Sequence, residues 1–353
     1  MTLKIGILLG DDIGLEVVPE TVKAIKAAAA VTGLAIEWTP LPIGKAGHEE
    51  HGDTLPAVTE ATLRELHGWI MGPIGHAAYP RNDPTWVMPP VRKRFELFAA
   101  LRPARGWPSL PALHKGVDIV FVREISEGML NRGTVVAGAG EFRPNDEITI
   151  ASRVITRKGA NRVAREAFEL ARTRPRKTVT AAHKEPVYRL ACGMFAEECR
   201  KVAAEFPDVN FNEAMIDTIS MKLVMNPQQY DVVVTTNQFG DILSDIGAGL
   251  VGGLGLAPGL CVGHDQAMAQ ATHGSAPDIA GRNIANPYAM VMSGQMLLAW
   301  LGRKHNEPKA AEAAALIEAA VGKVLAEKKT LTPDLGGSAS TQAMGDAIAA
   351  AIG

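Results

Sequence analysis

Hydrophobic residues in this chain gather into short β-branched runs that alternate with longer stretches of helical period. The clearest run, Asp231-Val232-Val233-Val234-Thr235, is apolar on both faces and bounded by polar residues, which predicts a strand covered on both sides. Comparable runs predict strands over residues 4–9, 35–40, 68–71, 117–122, 147–153, 177–182 and 209–214. Helical patterns cover 15–30, 56–65, 157–172, 187–205, 287–301 and 308–328, with a last helix after 332–337. Gly240 breaks the pattern beyond the 231–235 strand, so the helix there is expected to begin at Asp241. Strands alternating with helices predict an α/β fold with a mainly parallel sheet.

The stretch 246–263 carries no charge and is long enough to cross a bilayer. Its seven glycines and Pro258 make a poor continuous helix, so it reads as a buried helix breaking into loops near a ligand. The loop 76–90 holds four prolines and is expected to keep a fixed irregular shape. At 353 residues the chain exceeds a usual single core, which predicts two domains. With 47% hydrophobic and 21% charged residues, the composition is that of a soluble globular enzyme. A formal net charge of −2 gives no general attraction for nucleic acid or an anionic membrane, so neither is an expected partner. The chain enters a strand at once, without the apolar region of a signal peptide, and Cys192, Cys199 and Cys261 form no CxxC pair. Reduced thiols and a cytoplasmic location are the expectation.

With composition unremarkable, candidate chemistry rests on particular side chains. Asp241 and Asp245 are one helical turn apart and project from the same face, where like charges repel. Either both are solvated, with Asp241 offsetting the helix dipole, or a divalent cation bridges them, and hard oxygen ligands suit magnesium or manganese. Asp217, near the end of the 209–214 strand, is a third carboxylate and shifts the balance toward a metal. Arg92, Arg102 and Arg123 lie at or near strand ends, where ligands bind in α/β proteins. Three guanidiniums would clamp a small di- or tricarboxylate through paired hydrogen bonds. Lys184 follows an apolar strand; it is either solvated or buried enough to serve as a base. The stretch 273–287, rich in small residues and backbone donors, suits a nucleotide, whereas the turn at 10–14 lacks both GxGxxG and the Walker pattern.

In order along the chain stand GDDIGLEV (10–17), VRKRFELFAALRP (91–103), VRE (122–124), HK (183–184), MID (215–217), NQFGDILSD (237–245), GGLGLAP (252–258), HGSAPDIAGRNIANP (273–287) and TPDLGG (332–337). This series resembles the β-decarboxylating dehydrogenases: isopropylmalate, isocitrate, homoisocitrate and tartrate or D-malate dehydrogenases. The resemblance implies a two-domain α/β fold with a large mixed sheet, not the Rossmann fold. Its nucleotide-binding domain would be discontinuous, over 1–98 plus 252–353, and its dimerisation and metal/substrate domain would span 99–251. Arg92, Arg102 and Arg123 match the substrate-carboxylate arginines, and Asp217, Asp241 and Asp245 the ligands of Mg²⁺ or Mn²⁺. Lys184 and Asp217 match catalytic residues that reach into the partner's site of a homodimer with shared active sites. The implied reaction passes hydride from a 2-hydroxy di- or tricarboxylate to a nicotinamide and then releases the β-carboxylate.

The same resemblance puts His273, Gly274, Ser275, Ala276 and Asn286 around the adenosine. Asp278 would take the ribose hydroxyls and repel a 2′-phosphate, so NAD is the expected cofactor. Specificity in the family is set just ahead of Arg92, where this chain reads TWVMPPV over 85–91. Trp86 and Met88 there, with no donor beyond Thr85, would leave a third carboxylate unsolvated. A 3-alkyl-malate such as 3-isopropylmalate is therefore expected ahead of D-malate or tartrate, and those ahead of isocitrate. The bulk of Trp86 and Met88 acts both ways, packing on an alkyl group or filling its space. Two positions depart from the family: Leu130 or Asn131 stands where it has a proton-donating tyrosine, for which water or Tyr188 is the substitute, and Pro186 replaces an asparagine beside the nicotinamide. A catalytically weak regulatory subunit is the reading from another class, but such subunits lose metal ligands or arginines, and all six are kept here.

Overall fold

The structure, a computed structural model, describes residues 1–75, 79–80, 86, 88–129 and 140–353. Thr85, Leu130 and Asn131 lie outside the described residues. Two compact units divide the chain, one of Met1–Phe95, Trp107–Pro111 and Leu254–Gly353, the other of Glu96–Gly106 and Ala112–Gly253.

In the first unit the spatial order of strands is Ile36–Pro40, Leu3–Leu8, Gly68–Met71, Ala267–Ala269 and Leu260–Val262. Neighbours run parallel except for the last pair, which is antiparallel. Gly68–Met71 is buried at all four positions, the signature of a strand covered on both faces. Helices Gly14–Thr32, Tyr288–Lys304, Pro308–Glu327 and Thr341–Ile352 pack with one another around it. Gly294 sets one of those approaches, since a Cβ there would lie 2.6 Å from Thr21 Cγ2 and 2.9 Å from Ile25 Cδ1.

The second unit orders its strands Ala99–Arg105, Asp118–Glu124, Val232–Thr235, Thr178–His183 and Asn210–Met215. Only the first pair is antiparallel. Phe121, Val233, Ile219, Leu223, Leu243 and Leu250 form its core, contributed by strands and by the helices Ile216–Met225 and Asn237–Val251. Helix Arg157–Arg172 turns Val163, Ala164, Ala167, Phe168 and Ala171 inward, a 3–4 residue stripe, and keeps its charges outside. Ten strands of mixed direction alternating with helices give the α/β fold with a large mixed sheet that the resemblance implied.

Several elements differ from the pattern reading. The helix expected from Asp241 begins at Asn237, with Gly240 inside it. Gly240 is not a breaker but a gap: a Cβ there would meet Arg123 Cβ at 2.7 Å. The helix expected from 187 starts at Ala191, because Lys184 to Leu190 form turns closed by the Tyr188 N–H donating to the Lys184 carbonyl at 2.9 Å. The strand expected over 147–153 is shorter, Ile148–Ala151, and pairs with Glu141–Asn145 in a two-stranded sheet whose residues are all exposed. The uncharged 246–263 stretch stays helical to Val251, turns at Gly252 and Gly253 with φ of 126° and 111°, and ends in the strand Leu260–Val262. All three cysteines are buried free thiols. Among the described residues no helix is long and apolar enough to cross a membrane.

Candidate active site

In the second unit, the C-terminal ends of three adjacent strands carry most of the singled-out residues. Asp118–Glu124 delivers Arg123, Thr178–His183 leads into Lys184, and Val232–Thr235 leads into helix Asn237–Val251 with Asp241 and Asp245. Parallel pairing puts Ala182 opposite Thr235 and Thr235 opposite Arg123, which fixes these ends at one level.

Arg123 is 5% exposed and its charge is met locally. Nε and Nη2 donate to Asn237 Oδ1 at 3.0 and 2.7 Å, and Nη1 donates to Asp241 Oδ1. Arg102 Nη1 donates to the same Asp241 oxygen at 3.2 Å and to Ser244 Oγ at 2.8 Å. Two buried guanidiniums thus converge on Asp241, which is itself half exposed. Asn237 is anchored in turn by Nδ2 donating to the Glu127 carbonyl at 2.7 Å. Asn237 and Ser244 had no role in the sequence reading; they become visible only because the helix crosses the Arg123 strand.

Burial pushes the Asp245 carboxyl up; the arginines at 102 and 123 pull it down, and the charge of Asp241 raises it again. A divalent cation shared by these two carboxylates would relieve that penalty, so their chemistry fits Mg²⁺ or Mn²⁺. Asp217 stands apart in the first turn of helix Ile216–Met225. Its Oδ2 accepts from Lys184 Nζ at 2.6 Å, and that hydrogen bond holds the Asp217 carboxyl below the usual carboxylate range. Within one chain Asp217, Asp241 and Asp245 do not form a set of ligand atoms within 4.8 Å. The set among described residues that does is His183, Glu185 and Glu213.

The 273–287 stretch, Arg92, Trp86 and Met88 belong to the first unit. His273 donates from Nδ1 to the Gly274 carbonyl at 2.9 Å, while its buried Nε2 has no hydrogen-bond partner. Burial keeps the ring below the usual imidazole range, so neutral His273 presents a bare acceptor at Nε2. Ser275 is buried, and its carbonyl accepts from the Ile13 N–H at 3.2 Å. Ala276 takes a left-handed φ of 45°, while Gly274 and Asp278 are exposed. Asn286 is consumed internally, donating to Asp334 Oδ2 at 2.9 Å and accepting from the Tyr288 N–H at 2.9 Å. Arg92 donates to Gln270 Oε1 at 2.9 Å. Trp86 stacks on His48 with centroids 3.7 Å apart and meets Tyr79 edge-on at 5.5 Å, and Met88 is half-buried.

A family profile described as isocitrate/isopropylmalate dehydrogenase matches residues 4–348. An isocitrate/homoisocitrate dehydrogenase of Thermus thermophilus is 39% identical over 359 residues, covering 100% of this chain and 99% of that protein. A 3-isopropylmalate dehydrogenase of Archaeoglobus fulgidus is 40% identical over 349 residues, covering 99% of each. The crystal structure of isocitrate dehydrogenase from Methylococcus capsulatus superposes with a TM-score of 0.86 at 37% identity, covering 99% of both chains.

Proposed function

Because the chain belongs to the isocitrate/isopropylmalate dehydrogenase family, we propose that it oxidatively decarboxylates a 3-substituted (R)-malate of the 3-isopropylmalate kind, using NAD and Mg²⁺ or Mn²⁺. The observation that carries this reading is the pair of buried arginines, Arg102 and Arg123, converging on Asp241 one helical turn from Asp245. When bound, the cation supplies Lewis acidity at the hydroxyl oxygen and NAD supplies the hydride acceptor. Arg92, Arg102 and Arg123 grip the substrate carboxylates and so fix the orientation of the bond between carbon 3 and the carboxylate that leaves. The Lys184–Asp217 pair takes the hydroxyl proton as hydride leaves, and water or Tyr188 delivers a proton to the carbon from which CO₂ has departed. The atoms balance as hydroxy acid plus NAD giving oxo acid, CO₂ and NADH.

NAD is supported by Asp278, whose exposed carboxylate disfavours a 2′-phosphate, and by His273 Nε2, a buried acceptor suited to an adenine amino group. The substrate reading rests on Trp86 and Met88, which offer a third carboxylate no strong donor. D-malate or tartrate is the second reading, favoured by the stacked Trp86 filling the space an alkyl group would need. A homodimer is proposed because Met221, Val224 and Met225, on the helix of Asp217, and Ile242, on the helix of Asp241, leave large apolar side chains in solvent. In that dimer Lys184 and Asp217 complete the partner's site.

Steady-state kinetics with 3-isopropylmalate, D-malate, tartrate and isocitrate, each with NAD and NADP and with Mn²⁺ or excess chelator, tests all of this. The highest kcat/KM is expected for 3-isopropylmalate with NAD, and chelation should abolish turnover. A clear preference for isocitrate overturns the apolar pocket, higher efficiency with NADP overturns the cofactor, and turnover of none of the four returns the chain to a regulatory role.

A further inference from the structure

Lys184 lies in the chain between His183, which meets Glu213, and Glu185, which shares one guanidinium with Glu213. On one side His183, buried at the end of its strand, accepts the Glu185 N–H at Nδ1, 3.2 Å, so the neutral ring carries its proton on Nε2 and donates it to Glu213 Oε2 at 3.1 Å. On the other side Glu185 Oε2 accepts from Arg200 Nη2 at 2.7 Å, with Nη1 to Oε1 at 3.4 Å. The same guanidinium grips Glu213, Nε to Oε1 at 2.6 Å and Nη2 to Oε2 at 2.7 Å. Arg200 sits on helix Ala191–Ala204, Glu213 on the strand that runs into Asp217, and Glu185 on the turn that follows Lys184. His183 and Met215 are register partners, so Lys184 and Asp217 leave the sheet side by side just past the last paired residues.

Ligand atoms of His183, Glu185 and Glu213 come within 4.8 Å of one another, the donor types of a cation site. Both carboxylates, however, already receive charge-assisted hydrogen bonds from Arg200, and His183 Nδ1 is occupied by an amide hydrogen. The arrangement is an ion-pair clasp, and the bidentate fork that makes it is a guanidinium property that an ammonium lacks. We infer that Arg200 is a positioning residue for the proposed reaction: by holding Glu185 and Glu213 it fixes the turn that carries Lys184 and leaves the Lys184 amine to Asp217. The inference rests on the roles proposed for Lys184 and Asp217. Without the clasp, Glu185, adjacent to Lys184 in the chain, becomes a competing acceptor for the amine, and the two carboxylates repel each other.

Arg200→Met, Arg200→Lys and the double variant Arg200→Met/Glu185→Gln test this by kinetics on the best substrate and by peptide-resolved lysine labelling with a small acylating reagent. Arg200→Met should lower kcat about 10–100-fold, the usual range for a supporting residue, with KM changed less than about twofold. Labelling of Lys184 should change several-fold while that of Lys158 and Lys323 stays level. Arg200→Lys and the double variant should each recover part of both readouts. An Arg200→Met kcat within twofold of the parent, or a loss that disappears once rates are normalised to folded protein and leaves Lys184 labelling unchanged, overturns the inference. Labelling is read without turnover, so a parent inactive on every substrate refutes the proposed reaction while the clasp is still judged by its effect on Lys184. Should Arg200→Met not fold, Arg200→Lys and Glu185→Gln give the same two readouts.

Discussion

Gly240 shows how one missing side chain decides the shape of a charged cluster. Replacing it with alanine would help the helix by about 1 kcal/mol in propensity. The added methyl, however, would stand 2.7 Å from both Cβ and Cγ of Arg123 and 3.2 Å from its Cα, so a strand residue and not a flexible tip must yield. Overpacking of that kind costs about 1–3 kcal/mol, and the steric term wins. Gly240→Ala is expected to lower thermal stability and to cut kcat/KM at least tenfold by displacing Arg123 from Asn237 and Asp241; an unchanged kcat/KM would mean that the arginine's placement is unimportant. At this scale the sequence disclosed what spacing alone determines. Asp241 and Asp245 share a face because they are four apart. That Asp241 carries two arginines, or that Asn237 holds Arg123, depends on which strand the helix crosses, and spacing carries no information about that.

Between elements, the packing of helices Arg157–Arg172 and Ala191–Ala204 depends on Glu198. This carboxylate, 5% exposed, accepts from Lys201 at 2.9 Å within its own helix and from Arg157 at 2.9 Å and Asn161 at 3.1 Å on the neighbouring one. The Lys201 hydrogen bond leads the causes that hold its pKa down to about 2, against an ordinary 4.5, with burial opposing. The folded-state pKa being the lower, the stabilisation is complete above pH 4.5 and fades as pH falls toward 2, where the folded carboxylate finally takes its proton. Melting temperatures followed from pH 6 to pH 2 should fall more steeply in the parent than in Glu198→Gln. The variant should be the less stable at pH 6, and the curves should converge at the acid end; parallel curves would contradict this. Elements with an unambiguous apolar pattern were legible to the residue, Arg157–Arg172 by its single buried stripe and Gly68–Met71 by its unbroken apolar run. Helix Ile216–Met225 was not, because Met221, Val224 and Met225 are exposed and blur any single apolar face. Helix Gly44–His51 has two glycines and a run of polar residues, so neither propensity nor period announces it.

For the molecule as a whole, the exposed apolar faces of the two helices bearing Asp217 and Asp241 make assembly a condition of activity under the proposed function. Val224→Glu combined with Ile242→Glu places charges on surfaces that a dimer would bury. Light scattering should show a monomer, and turnover should fall below about 1% of the parent because Lys184 and Asp217 no longer reach a partner's site; a fully active monomer would refute the shared-site reading. The α/β class was legible from the alternation of strands and helices, and the mixed sheet came with the family motifs, since the antiparallel pairs 99–105 with 118–124 and 260–262 with 267–269 leave no mark on composition. The interleaving of the first unit has a consequence for how the protein is made. Strand Ala267–Ala269 pairs beside Gly68–Met71, helix Thr341–Ile352 packs on Gly14–Thr32, and the terminal amine of Met1 meets Glu307 at 2.5 Å. Residues 1–95 therefore emerge from the ribosome with three strands that can pair but without the later strands and helices that cover them, while the second unit, nearly continuous in the chain, has its whole core within reach and can close first. At about 5–20 residues per second, the time needed to add residues 254–353 separates the two events. During that interval the nascent first unit is an unfinished sheet, and it is there, rather than in the finished protein, that a chaperone would find apolar strand to hold.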